Sequence, residues 1–444
     1  MAPMMTRRAT NFAIRGTSET KTSPDRYSPI AVIGYFLFVL AFVWLPSLVH
    51  RGYVFTRDPS FFAATRADIG WSLGTFSFLG GTSTISNQGL FYEPYAVLSF
   101  FLHAAGIGAA GISKVIPLLV SAVALAGVFA LLRDLALNTA SSLLGATFFL
   151  VNPWSLDQFG YFYIWSGYCM LPLVVLATRR IIRGERTPIW YPISLVFLGG
   201  VVAWLVAFVV LTLTVLSIGR HTVSPFGLRR LQPFLWFLVA TLYWLPAYLF
   251  WVLLQGTGAL AYSSSGGPLQ TGSPLANLLE LRDFWWPHLS PLVAVGHAAA
   301  AAATVASACI VGVAAWRIAD DFAAAGTHYG SRDSGVLTDV GVFAVLGAVG
   351  LILGEGTSGI FGPLYSWLHN SSLPGHLFIA SLTRDPSNLA GPFVFAIAVG
   401  LSAAVEPRRT GLPTNCEDGG RQSGIRSAVR LGILAVMALG PGSK

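Results

Sequence analysis

Asp58 is the carboxylate that the sequence sets up best for chemistry. It stands in TRDPSFF, between Arg57 and Pro59, nine residues after an apolar run of 20 residues from Ile30 to Val49. A carboxylate held at a bilayer surface can take a proton from an acceptor hydroxyl, as general-base catalysis requires. The same residue can instead pair with Arg57 or cap a short helix that opens at Pro59. Asp157 stands at the tip of NPWSLDQFG, where it can orient a substrate hydroxyl or cap a helix. Trp154, Phe159, Tyr161, Tyr163 and Trp165 crowd the same boundary and suit either sugar stacking or an interfacial aromatic belt. Arg282, in LRDFWWPH, offers a guanidinium suited to phosphate, or a surface ion pair with Asp283. Arg384 opens a late apolar run as Arg-Asp-Pro, and Lys114 opens another in ISKVIPLLV.

These residues need elements to hold them, and composition names the class. Of 444 residues, 54% are hydrophobic and 10% charged, against about 25% charged in an ordinary soluble domain. The apolar residues come in blocks of roughly 20, enough to cross a hydrocarbon core of ~30 Å. A soluble enzyme, a disordered chain and a nucleic-acid-binding domain are excluded. The expected fold is an all-α polytopic membrane protein of about 10–11 transmembrane helices, with interfacial helices in the first outer loop. Candidate spans lie near Ile30–Val49, Ser113–Leu132, Ala140–Val151, Tyr161–Ala177, Ile189–Ile218, Phe234–Leu254, Leu292–Ala315, Val336–Leu353 and Asn388–Val405.

Charge sets the expected topology. The net charge of +8 comes from short basic loops beside spans, so it reads as orientation rather than nucleic-acid binding. With Tyr92–Ala110 along the outer interface and Ile189–Ile218 a hairpin broken at Gly199-Gly200, each arm has about 15 residues. The basic residues then divide 20 inside to 6 outside, Lys444 apart. If Tyr92–Ala110 crossed, the Arg179, Arg180, Arg183 and Arg186 cluster would move outside, against the rule. The expected localisation is the plasma membrane, multi-pass, N-terminus in the cytoplasm. Residues 1–28 form a cytoplasmic polar tail, 29–405 the transmembrane module, and 406–444 a cytoplasmic loop with an incomplete last hydrophobic segment. The final apolar stretch, about ten residues before Gly440-Pro441, is too short to span.

The motif inventory narrows the chemistry. Cys169, Cys309 and Cys416 are scattered and suggest neither a disulfide framework nor a zinc site. No Walker A or HExxH pattern occurs. Few ionisable residues fall inside the spans, which argues against an ion or proton pathway.

The order of features resembles the GT-C membrane glycosyltransferases: a first span, an outer loop with an early acid (here Asp58), and an interfacial segment (FYEPYAVLSFFLHAAGI). A basic residue, Lys114, then opens the next span, LLRDL resembles the cytoplasmic turn, and LLGATFFLVNPWSLDQFG follows. Within that superfamily the chain is similar to the membrane module of actinobacterial α-(1→3)-arabinofuranosyltransferases and related multi-span proteins. The likeness rests on the run from Asp58 through Trp71, Gly80, Gly81 and Pro94 to Lys114, on NPWSLDQFGYFYIWSGYCMLPL, and on FGPLYSWL with SLTRDPSNL. Their large C-terminal soluble region has no counterpart here. The resemblance implies transfer of a sugar from a polyprenyl-phosphate donor to a cell-envelope glycan, lipid or protein acceptor at the outer face. It implies Asp58 as base, Lys114, Arg282 and Arg384 as phosphate-binding groups, and Asp157 as an acceptor-positioning group. Some members bind a divalent cation; nothing in this sequence demands a metal or another cofactor. The competing readings are a carrier or flippase for a lipid-linked or polar substrate, and a GT-C-like scaffold without catalysis.

Overall fold

A computed structural model describes residues 28–49, 77–79, 82–84, 88–159, 162–198, 201–219, 228–246 and 390–406, with Gly52 and short pieces between 312 and 367. The helices are α1 (Pro29–Val49), α2 (Gln88–Ala104), α3 (Ala109–Asp134), α4 (Thr139–Val151), α5 (Pro153–Gln158) and α6 (Phe162–Ile182). After them come α7 (Trp190–Val196), α8 (Val201–Gly219), α9 (Leu228–Thr241) and α10 (Gly391–Val405). A small antiparallel hairpin, β1 (Ser77–Leu79) and β2 (Thr82–Thr84), precedes α2 with Leu79 opposite Thr82. The fold is that of an all-α polytopic membrane protein, with this hairpin as a minor addition.

Helices α1 and α3 are long and apolar enough to cross a bilayer. At 1.5 Å per residue they span roughly 31 and 39 Å. One face of α1, with Ile33, Leu37, Phe38, Phe42 and Leu45, is left exposed by the bundle. A continuous apolar face of that kind suits lipid rather than water. Its other face runs antiparallel along α3. Phe36 meets Phe129 edge-on, Trp44 Nε1 donates to Ser121 Oγ (2.9 Å), and Lys114 Nζ donates to Leu48 O (3.2 Å). The end of α1 and the start of α3 therefore share one end of the bundle, and the chain between them makes no net crossing. This agrees with an interfacial Tyr92–Ala110.

Three helices end in the same backbone device. After α3, Ala136 N bonds Arg133 O and Leu137 N bonds Leu132 O, with Ala136 at φ 62°. Gly184 after α6 and Gly106 after α2 repeat the pattern at positive φ. Each is a Schellman closure, which satisfies the last helical carbonyls. Asn138 then caps α4, its Oδ1 accepting from Ser141 N (2.8 Å).

Helix α6 runs parallel to α3, with Gly127 letting Leu173 approach. Helix α10 runs antiparallel to α4: Glu406 reaches Asn138, Ser402 lies against Gly145, and Gly391 lies against Trp154 and Tyr168. Ile189–Ile218 is a broken hairpin, but its arms are unequal. Helix α7 has 7 residues and α8 has 19, in place of two arms of about 15. The loop to Pro188 shortens the first arm. Phe208 of α8 packs on Phe234 and Phe237 of α9. The expected span at Phe234–Leu254 begins earlier, at Leu228, and Gln232 Nε2 donates to Thr187 Oγ1 (2.6 Å). The spans expected near Leu292–Ala315 and Val336–Leu353 lie largely outside the described residues.

So short a helix as α7 leaves carbonyls open at its end. An unpaired carbonyl in an apolar interior costs several kcal/mol. Two tyrosines answer this: Tyr95 OH donates to Phe197 O (2.7 Å) and Tyr243 OH to Val196 O (3.2 Å). Tyr95 comes from α2 and is fully buried, edge-on to Phe162 and Phe197. One hydroxyl thus ties α2 into the bundle.

Candidate functional site

The bundle has two chemically different ends. At one, α1 finishes, α3, α6 and α10 begin, and α5 closes the turn after α4. Asn152 organises this turn: its Nδ2 donates to Phe148 O and Phe149 O, and its Oδ1 accepts from Ser155 N (2.9 Å). One side chain thus terminates α4 and caps α5. Asp157 lies inside the last turn of α5 rather than at a bare loop tip.

Lys114 stands at the same end. Its ammonium bonds Leu48 O, one of the open C-terminal carbonyls of α1. A cation at a helix C-terminus is favourable, so Lys114 has a structural role beside any role toward phosphate. The fold brings together the Lys114 and Asp157 ends of their helices. Asp58, Arg282 and Arg384 lie outside the described residues.

Beneath this end is a cavity of about 100 Å³. Its walls carry the rings of Trp44, Phe159 and Trp165 and the hydroxyls of Ser47, Ser121 and Ser155. The rings meet edge-on, Trp44 to Phe159 at 4.8 Å and Phe159 to Trp165 at 5.1 Å. Trp165 Nε1 donates to Ser155 Oγ (3.1 Å), as Trp44 does to Ser121. Each of those serines accepts an indole N–H and keeps its own O–H to donate. The chamber exceeds what one water needs. Among the described residues no charged side chain lines it, so this lining suits recognition of a neutral group. Sequence reasoning marked Trp154, Phe159 and Trp165 as a crowd but missed Ser121 and Ser155, whose partners are set only by helix packing.

The opposite end is a salt-bridged clamp. Arg179 Nε donates to Asp134 Oδ2 (2.8 Å) and Arg183 NH1 to Asp134 Oδ1 (3.0 Å). The Asn138 N–H donates to Glu406 Oε2 (2.8 Å), which joins α10 to the start of α4. Between the two ends, α1, α4, α8 and α10 carry no Asp, Glu, Lys or Arg, and α3 and α6 carry theirs near their ends. Among the described residues no group of three His, Cys, Asp or Glu side chains could hold a metal ion.

No protein-family model and no curated protein matches the chain. Among solved structures it is similar to the arabinofuranosyltransferase AftD from Mycobacteria, at a TM-score of 0.56 and 14% identity. The match covers 94% of this chain and 28% of that one, so the chain spans little more than a quarter of its neighbour's length. At this identity the likeness concerns the fold, and it supports a GT-C-like membrane fold for the chain.

Proposed function

We propose that the chain is the membrane module of a glycosyltransferase. In this reading it transfers a sugar from a polyprenyl-phosphate donor to a glycan, lipid or protein acceptor at the outer face of the plasma membrane. The observation that carries the reading is the distribution of charge: the Asp, Glu, Lys and Arg residues of α1, α3, α4, α6, α8 and α10 lie only near helix ends and are missing from their middles. A carrier needs polar or charged groups at mid-membrane. A transferase acting on a lipid-linked donor needs them at the surface, where the donor's phosphate emerges.

The roles follow the chemistry. Asp58 takes the acceptor's hydroxyl proton as the acceptor oxygen bonds to the sugar's anomeric carbon. The anomeric bond to phosphate breaks, and the electron pair leaves with the polyprenyl phosphate. Lys114, Arg282 and Arg384 stabilise that leaving phosphate, and Asp157 positions the acceptor. Residues 29–405 form the working module, with 1–28 and 406–444 on the cytoplasmic side.

The test uses membranes holding the full chain and a panel of polyprenyl-phosphate pentoses and hexoses, with release of polyprenyl phosphate as readout. Asp58→Asn should lower turnover by about 10²–10⁴, the usual contribution of a general base. Full turnover in that variant, at normal expression, would sink the assignment. Orientation is read separately with single cysteines in a background free of native ones. Ala105→Cys and Ala140→Cys are exposed and lie at opposite ends. An impermeant thiol reagent outside intact cells should label the first and not the second. The reverse pattern would put Lys114 and Asp157 on the cytoplasmic side and remove the lipid-linked reading.

A further inference from the structure

Among the described residues the clamp end holds more arginines than carboxylates. Arg133, Arg179, Arg180, Arg183 and Arg186 gather there against Asp134, Glu185 and Glu406. Arg179 is buried on Asp134, and Glu406 is taken up by a backbone N–H. Glu185 stands 3.9 Å from Arg180. Arg186 is exposed and has no carboxylate partner among the described residues. The Gly184 closure ends α6, and Arg186 lies in the short connection to α7, three residues before its N-cap Ile189. There the surface changes character. Ile189 is 80% exposed and Ile193, one turn further along α7, is 51% exposed. Residues four apart lie on one helix face, so an exposed apolar pair begins three residues after the exposed Arg186.

We propose that Arg186, with Ile189 and Ile193, forms a binding site for an anionic phospholipid in the leaflet at the clamp end. Arg186 takes the phosphate, and the two isoleucines lie along the first part of an acyl chain. Arg183, also exposed beside Asp134, adds to the local positive field. Charge complementarity selects the occupant: a zwitterionic headgroup brings its own cation and gains little from an exposed arginine, whereas a phosphatidylglycerol headgroup is a net anion. The apolar pair selects a lipid over a soluble anion, because the isoleucines would otherwise face water. The site is separate from the sugar-transfer chemistry and stands whether or not that reading holds.

The test is retention of lipid by the full chain, purified in mild detergent after exchange into mixed phosphatidylglycerol and phosphatidylcholine, with bound lipid counted by native mass spectrometry. The wild-type chain should keep phosphatidylglycerol in preference. Arg186→Gln should lower that preference about fivefold, the worth of one arginine near an anionic surface. Arg186→Lys should largely restore it, and Ile189→Ser should shorten retention of both lipids. Arg186 and Ile189 are exposed, so these variants leave the packed core untouched. Equal retention of the two lipids by wild type would overturn the proposal, as would an unchanged preference in Arg186→Gln. Loss of a co-purifying acidic protein in Arg186→Gln, with lipid preference intact, would assign the patch to a protein partner instead.

Discussion

Replacing Asp134 with alanine tests whether the clamp end holds the bundle together. Arg179 is 3% exposed and Asp134 12% exposed, with 2.8 Å between the guanidinium Nε and the carboxylate. Removing one partner of a buried pair costs about 3–5 kcal/mol, because the other charge stays out of water without its counter-ion. Arg183, 40% exposed, contributes only ~0–1 kcal/mol through the same carboxylate. The expected loss for Asp134→Ala is therefore about 3–5 kcal/mol, nearly all of it through Arg179. Arg183→Gln should lose less than about 1 kcal/mol. The assay is denaturant or thermal unfolding of the full chain in detergent, followed by the accessibility of the buried Cys169 to a thiol reagent. The double variant Asp134→Leu with Arg179→Met should recover most of the loss, since apolar residues of similar size often replace a buried pair without penalty. If Asp134→Ala proved no worse than Arg183→Gln, the pair would be solvated in the working protein. Its burial would then not explain the joining of α3 to α6.

Further expectations rest on local geometry and can be read in the same unfolding assay. Ala136→Gly should stabilise by about 1 kcal/mol, because Ala136 sits at φ 62°, where a Cβ is penalised; destabilisation would mean that the α3 closure is different. Tyr95→Phe should cost about 1–3 kcal/mol by leaving Phe197 O without its buried donor, and a neutral result would place water at the end of α7. Gly145→Ala should cost about 1–3 kcal/mol by driving a methyl into Ser402 Oγ, with Leu132 Cδ1 2.8 Å away. Adding Ser402→Ala should return part of it, and no recovery would separate α10 from α4.

Much of this fold was legible because bilayer physics leaves few choices. Runs of about 20 apolar residues read directly as α1 and α3. Asn138 and Asn152 flank α4 where capping chemistry expects polar side chains. The arginine count required Tyr92–Ala110 to leave the chain at the end where it began, and Lys114 on Leu48 O agrees with that. What stayed hidden is pairing over long separations. Nothing around Glu406 announces that it will accept from Asn138, 268 residues away, because an isolated glutamate beside Pro407 has no periodicity to read. The serine-lined cavity was equally silent, since Ser121 and Ser155 are ordinary residues until α3 and α5 bring each one to an indole.

The unequal hairpin links these two levels. Gly199-Gly200 signals a break, and sequence alone divides the segment evenly. The structure makes the first arm a half-helix, and a half-helix is stable in a membrane only if other groups take its end carbonyls. One of those groups, Tyr95, comes from α2, at the end of the bundle that also holds Lys114 and α5. The break is therefore more than a defect in one span: it creates the acceptor that anchors the interfacial helix. In the proposed reading Asp58 precedes α2 in the chain, so the Tyr95 bond anchors the first long helix that follows it. A carboxylate carried on a loop can act as a base only if the loop is held in register with its substrate. If the chain is the proposed transferase, loss of the buried Tyr95 hydroxyl should disturb transfer as well as stability.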